Sequence, residues 1–145
     1  MIEGLFNSGA MPVLERMVQF TGQRQALIAH NIANISTPFF RPKDLSVEKF
    51  QKQLRRAVED RRAGETPRKG ELRLSDTREF RFHADRLEAT PEPLDENIFF
   101  HDRNNRDLER IMQDMVENSM AHTASIEMLK SEFDLLKMAI RERIS

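Results

Sequence analysis

The sequence predicts a mainly α-helical chain whose long N- and C-terminal helices pair as an antiparallel coiled coil, with a small, irregular, β-containing segment between them. Three observations carry that prediction. Two runs, Met11 to Ile35 and Leu108 to Ile140, place apolar residues at steps of three and four, the period of one helix face. No Gly or Pro interrupts the second run from Arg106 to Ile144. Charged residues make up 32% of the 145, mean hydropathy is −0.62, and Trp, Tyr and Cys are absent, which suits elongated helices better than a thick sandwich or doubly wound sheet.

The first helix is expected to begin near Asn7 to Met11, with Pro12 in the opening turn, where a missing N–H costs nothing. Its stripe runs Met11, Leu14, Val18, Thr21, Gln25, Ile28, Ile32 and Ile35, apolar at both ends and polar in the middle. Asn34 is the expected left-handed C-terminal cap. Pro38 biases Thr37 towards an extended backbone, so the helix stops before it. These elements make residues 1–40 the first unit.

Residues 41–103 form the middle segment. Val47, Phe50, Leu54 and Val58 share a helical face and predict a short amphipathic helix, ended by Gly64 and Pro67. AGETPRKGE reads as a loop. ELRL and EFRFH alternate apolar and polar residues and are expected to pair as a hairpin across Ser75 to Arg78. TPEPLDEN, with two close prolines, is excluded from helix, and NIFFH after it is expected to be extended.

Residues 104–145 form the last unit. Asn104 or Asn105 caps the helix, and Asp107 and Glu109 suit the positive end of its dipole. The stripe runs Leu108, Met112, Met115, Ser119, His122, Ile126, Leu129, Phe133, Leu136 and Ile140. A rod from Arg106 to Ile144 spans roughly 58 Å, against about 35 Å for the first helix, so the shorter cannot cover the longer. A second row, Ile111, Val116, Leu135 and Met138, widens the apolar surface beyond a two-stranded seam. The expectation is a chain that needs further copies or partners.

Charge is unevenly spread. Arg41 to Arg73 carries 11 Lys/Arg against 6 Asp/Glu, and Asp85 to Ser145 carries 8 against 14. This reads either as two solvated faces or as electrostatic register between copies. No cysteine means no disulfide or thiolate chemistry, leaving the redox compartment open. MIEGLFNSGAMPVLERM lacks the basic-then-apolar form of a secretory signal, and no run of about 18 apolar residues predicts a membrane span. Export, if it occurs, is expected to use another route.

HNIANISTPFFRPKD, residues 30–44, is similar to the N-terminal signature of the bacterial flagellar rod and hook protein family, Asn-Ile-Ala-Asn followed by Thr-Pro-Gly-Tyr. NNRDLERIMQDMVENSMAHTASIEMLKSEFDLLKMAI, residues 104–140, resembles the C-terminal helix of its proximal-rod branch, with Asn-Asn-x-Asp-Leu-Glu, a later Asn and Phe-x-x-Leu-x-x-Ala-Ile. The resemblance covers residues 1–45 and 104–145. Phe39 stands where the family commonly has Gly, so a turn using a glycine-only conformation is not expected there. His30 and His122 stand where Asn and Tyr are more common, and residues 51–99 match no known pattern.

The resemblance implies a structural subunit of the flagellar basal body. Such a subunit is exported by the flagellar type III apparatus, polymerises helically around the export channel in the periplasmic rod, and transmits torque. Implied partners are further copies of itself, other rod proteins, the hook–basal-body adaptor FliE, the MS ring and the export gate, with no nucleic acid, membrane insertion or cofactor. The implied assembly interface comprises Leu14, Val18, Ile28, Asn31, Ile32, Asn34, Pro38, Phe39 and Phe40, then Asn104, Asn105, Leu108, Met112, Met115, Asn118, His122, Ile126, Leu129, Phe133, Leu136 and Ile140. Asn31 and Asn34 are expected to hydrogen-bond to an adjacent helix and fix its register. Phe39 and Phe40 either cap the local core or plug a neighbouring subunit's groove. The methionines of the last helix are expected to adapt to non-equivalent neighbours.

Other classes find less support. His30, His83, His101 and His122 lack zinc spacing, and His101-Asp102 is the only suggestive pair. There is no Gly-rich phosphate loop or nucleophile motif, so an enzyme is not expected and no catalytic or metal-binding residue is assigned. Arg55, Arg56, Arg61 and Arg62 are offset by Glu59 and Asp60 and lack interleaved aromatics for RNA. A soluble coiled-coil adaptor or export chaperone is the alternative.

Overall fold

The computed structural model describes residues 9–64, 71–94 and 104–142, with side chains of the last stretch described from Leu108 onward. Its elements are α1 (Met11–Asn34), β1 (Lys43–Asp44), α2 (Val47–Ala63), β2 (Phe80–Phe82), β3 (Leu87–Ala89), β4 (Glu92–Pro93) and α3 (Asn104–Glu142). The fold is mainly helical, with two small two-stranded sheets in the middle.

Helix α1 opens with Pro12 in its first turn and runs for 24 residues. Its end differs from the expectation. Asn34 is helical, and its side chain turns back to donate to the His30 carbonyl at 2.8 Å. The left-handed residue lies further on: Phe39 has φ 61°. Phe40 N–H donates to Thr37 O at 3.1 Å, so Thr37-Pro38-Phe39-Phe40 is a turn with proline second and positive φ third, the type II pattern. That third position favours glycine. The conformation excluded on sequence grounds is therefore the one adopted, at a steric cost of about 1–2 kcal/mol for an L-residue.

Helix α2 begins where Ser46 Oγ accepts the Lys49 N–H at 3.2 Å, and it ends at Gly64. Phe50, Leu54 and Ala57 form its buried stripe. The expected hairpin is corrected in its partner. EFRFH supplies β2, but β2 pairs antiparallel with β3, Phe82 opposite Leu87, while 71–77 has no regular structure. Leu72 and Leu74 instead pack as single side chains against the core. The proline-rich stretch supplies β4, which pairs with β1 directly after the turn. Pro67 and the NIFFH segment lie outside the described residues.

The core joins α1 to the middle segment. Phe20, Leu45, Phe50, Leu54, Phe80 and Leu87 are buried together. Phe20 and Phe50 stack with centroids 4.1 Å apart, and Phe80 sets its edge against both at 5.9 Å. Rings offset or edge-on in this way add attraction beyond the area they bury. Polar side chains reinforce the seam. Arg16 donates to His83 O at 2.6 Å, Gln19 to Asp85 O at 3.1 Å, and Gln23 to Leu87 O. Lys49 pairs with Glu79 at 3.1 Å and Glu92 at 2.9 Å, tying α2 to both sheets.

Candidate functional site

Helix α1 uses two faces. The sequence-predicted stripe through Thr21 and Gln25 meets α3 in antiparallel sense: Thr21 meets His122, while Gln25 and Arg24, further along α1, meet the earlier Asn118 and Asp114. Asn118 is buried, and its amide donates to Thr21 O at 2.9 Å and Gln25 Oε1 at 2.8 Å. Thr21 Oγ1 donates to Met17 O at 2.7 Å, which leaves His122 Nδ1 as donor in its 2.8 Å contact with that hydroxyl. A polar layer thus interrupts an apolar seam. Such a layer fixes helix alignment, because a shift of one turn would bury Asn118 unpaired.

The second face of α1 was not read from the sequence. Val13, Met17, Phe20, Arg24, Leu27 and Asn31 also step by fours and threes, but Arg24 and Asn31 disguise the row. Both are buried. The Arg24 guanidinium binds Asp44 in a fork, 3.0 and 2.7 Å, with Asp114 at 3.7 Å. Burial disfavours its charge, but the hydrogen bond and charge of Asp44, backed by Asp114 and Glu117, outweigh this and raise its pKa. Burial also raises the Asp114 carboxyl, against the pull of Arg24.

Asn31 corrects a second expectation. Its amide donates to Lys43 O at 2.6 Å and accepts from Lys43 N at 3.2 Å, so it clamps β1 of its own chain rather than another helix. Within the chain, the Asn34 amide donates to His30 O of its own helix. Pro38 is exposed, Phe40 is half-buried with its ring edge-on to His30 at 5.7 Å, and Phe39 is fully exposed at 102%. The local-core alternative thus suits Phe40 and fails for Phe39.

Other candidate residues fall into three groups. Leu14 and Ile28 are buried, with Val18 and Ile32 half-buried beside them on α1. Leu108, Met115, His122, Ile126, Leu129, Phe133 and Leu136 are half-buried on α3, whereas Met112 and Ile140 are exposed. The most buried residues of α3 are Ile111, Asn118 and Ser125. Its inner seam is therefore rotated by one residue from the predicted 112, 119 and 126, and Ile111 leaves the outer row for the inner one. The side chains of Asn104 and Asn105 lie outside the described residues.

The outer face of α3 carries large exposed apolar side chains among polar ones, with Gln113, Glu127, Ser131 and Asp134 in the same arc. Met112, Val116, Met120, Met128, Leu135 and Met138 are each at least 54% exposed. At 3.6 residues per turn their mean direction is roughly 160° from that of Ile111, Asn118 and Ser125. Large apolar side chains opposite the face that packs on α1 leave room for a second neighbour on that side.

Between α1, α2 and α3 lies a cleft of about 180 Å³. Met17, Phe20, Val47, Phe50 and Leu54 form its apolar walls, with Glu117 and Ala121 of α3 also lining it. Among the described residues, no group of three or more His, Asp or Glu could hold a metal ion, and no helix is long and apolar enough to cross a membrane.

No protein-family model, curated protein or solved structure matches this chain.

Proposed function

We propose that this chain is a structural, non-enzymatic subunit of the bacterial flagellar basal body, a proximal rod protein of the FlgB kind. In this reading α1 and α3 form a coiled-coil unit that polymerises helically around the export channel, after delivery through the flagellar type III apparatus. Neighbouring copies and other rod proteins cover the outer face of α3. FliE, the MS ring and the export gate lie towards the base. Torque passes outward through packed helices.

The single observation that carries the reading is the apolar row on α3 turned away from α1. Burying six such side chains is worth several kcal/mol at about 25 cal/mol per Å², which supports assembly over a solitary helix pair. The motifs at residues 30–44 and 104–140 support the flagellar setting. The polar layer at Thr21, Asn118 and His122 suits a load-bearing pair, because it resists sliding along the seam.

A strain deleted for the gene should lose rod, filament and motility. The intact gene should restore them, and a Met120→Lys, Leu135→Lys gene should not. Both sites are exposed, so helix content of the purified variant should match the parent. A deletion strain that swims normally overturns the flagellar reading. Full rescue by the double variant overturns the role of the α3 face.

A further inference from the structure

Among the described residues, two features have no task within a single chain: the exposed Phe39 ring and the cleft between α1, α2 and α3. We propose that Phe39 of one copy seats its ring in this cleft of a second copy, joining copies head to tail; this rests on the self-assembly proposed above and names one of its contacts.

Size supports the pairing. A dry engineered cavity of about 150 Å³ lined by aliphatic and aromatic side chains accepts benzene. The cleft here measures about 180 Å³, and its walls include the Phe20 and Phe50 rings. Its own Phe39 does not fill it, since that ring is fully exposed. Arg24 at the cleft and Asn34, the last residue of α1 before the turn, are separated by about 15 Å of helix.

Backbone supports it as well. Phe39 holds a left-handed conformation that glycine would adopt without strain, and the Thr37–Phe40 hydrogen bond and Pro38 fix that turn. The strained turn leaves a large apolar ring in solvent and adds no burial to its own fold. Strain of this kind is retained where a displayed side chain serves a contact.

Charge gives the direction. The exposed Lys43 follows Phe39 by four residues, while the exposed Glu117 lines the cleft. Arg24 inside the cleft is paired with Asp44 at 2.7 Å and with Asp114 at 3.7 Å. Lys43 approaching Glu117 of a second copy is attracted. Because the two patches differ and lie apart on one molecule, the contact is heterologous and propagates into open chains rather than closing a two-fold dimer.

Sedimentation velocity across a dilution series tests this in the Leu135→Lys background, which disables the α3 outer face away from the cleft. The Leu135→Lys chain should still self-associate. Adding Phe39→Gly removes the ring, and adding Ala121→Phe fills the cleft from its rim; each should weaken association at least tenfold, as losing a central aromatic anchor does. An equal mixture of the two should associate again but stop at pairs, since only one ring and one cleft remain. Thermal melting by circular dichroism should show Phe39→Gly melting no lower than its parent, and Gln51→Phe fills the cleft from α2 should Ala121→Phe disturb folding.

The proposal is overturned if the Leu135→Lys chain is monomeric throughout, or if Phe39→Gly associates like its parent. It also fails if filling the cleft weakens association while Phe39→Gly does not, because another element then occupies it. Should Leu135→Lys associate as strongly as the unsubstituted chain, with Phe39→Gly abolishing that association, the ring contact stands and the α3 face reading fails.

Discussion

The two sides of this molecule treat apolar surface in opposite ways. Where α1 meets the middle segment, three phenylalanine rings interlock and polar side chains from Arg16 to Gln23 bond to the strand ends. On the outer face of α3, methionines and aliphatic residues are more than half exposed. The first arrangement spends its apolar surface within one chain. The second leaves it exposed. A sequence with 32% charged residues can therefore hold a private core, provided that core is small and off to one side of the helix pair.

The comparison is broken most severely at Phe80, which is fully buried. Phe80→Ala should lower unfolding free energy by about 3–5 kcal/mol in urea titration, whereas Met120→Ala on α3 should change it by less than about 0.5 kcal/mol. Equal losses at the two sites would erase the distinction between the faces. Next comes the polar layer. Asn118→Ala removes two hydrogen bonds to α1 and should cost about 1–2 kcal/mol by the same titration.

Gly22 sharpens the picture in the other direction. A Cβ there would meet His122 Cε1 at 3.5 Å, an ordinary contact, within an α-helix. Gly22→Ala should stabilise the chain by about 0.5–1 kcal/mol through lower unfolded-state entropy, read as a higher urea midpoint.

The smallest effect concerns pH. Burial raises the Asp114 carboxyl above its ordinary 3.8, so the folded state binds the proton more tightly than the unfolded. Its contribution is present below that ordinary value and is lost as pH rises through the raised folded one. Asp114→Asn should remove this loss, so the variant gains relative to the parent from about pH 4 upward in urea midpoints taken across pH. A gap that widens towards acid instead would contradict the assignment.

How much of this was legible in the sequence varies by element. Helix existence was legible because the 3–4 spacing is long and Pro12, Pro38 and Gly64 punctuate it. The polar interruption at Thr21 and Gln25 was legible for the same reason. The second α1 face was hidden because Arg24 and Asn31 count as polar, yet each is buried with its partners supplied by Asp44 and Lys43. The α3 seam was misplaced by one residue because hydropathy favours Met112 over Ile111's companions Asn118 and Ser125, although small and hydrogen-bonded residues allow closer approach. β2 was found and its partner missed, since ELRL and Leu87–Ala89 carry equally short signals and tertiary packing on Phe20 decides between them. Phe39 was read through the usual preference for glycine at a positive φ, and the chain adopts that conformation regardless.

The central claim is that the outer face of α3 is bare in the single chain and covered in the assembly. Its methionines offer the most direct measurement: ¹³C-methyl NMR of labelled Met in the presence of a soluble paramagnetic agent, followed from dilute to associating concentrations. Met120, Met128 and Met138 should be strongly broadened when dilute and become protected on association, while buried Met11 stays protected throughout. Methyls on α3 that remain as accessible in the associated state as in the dilute one would contradict the account.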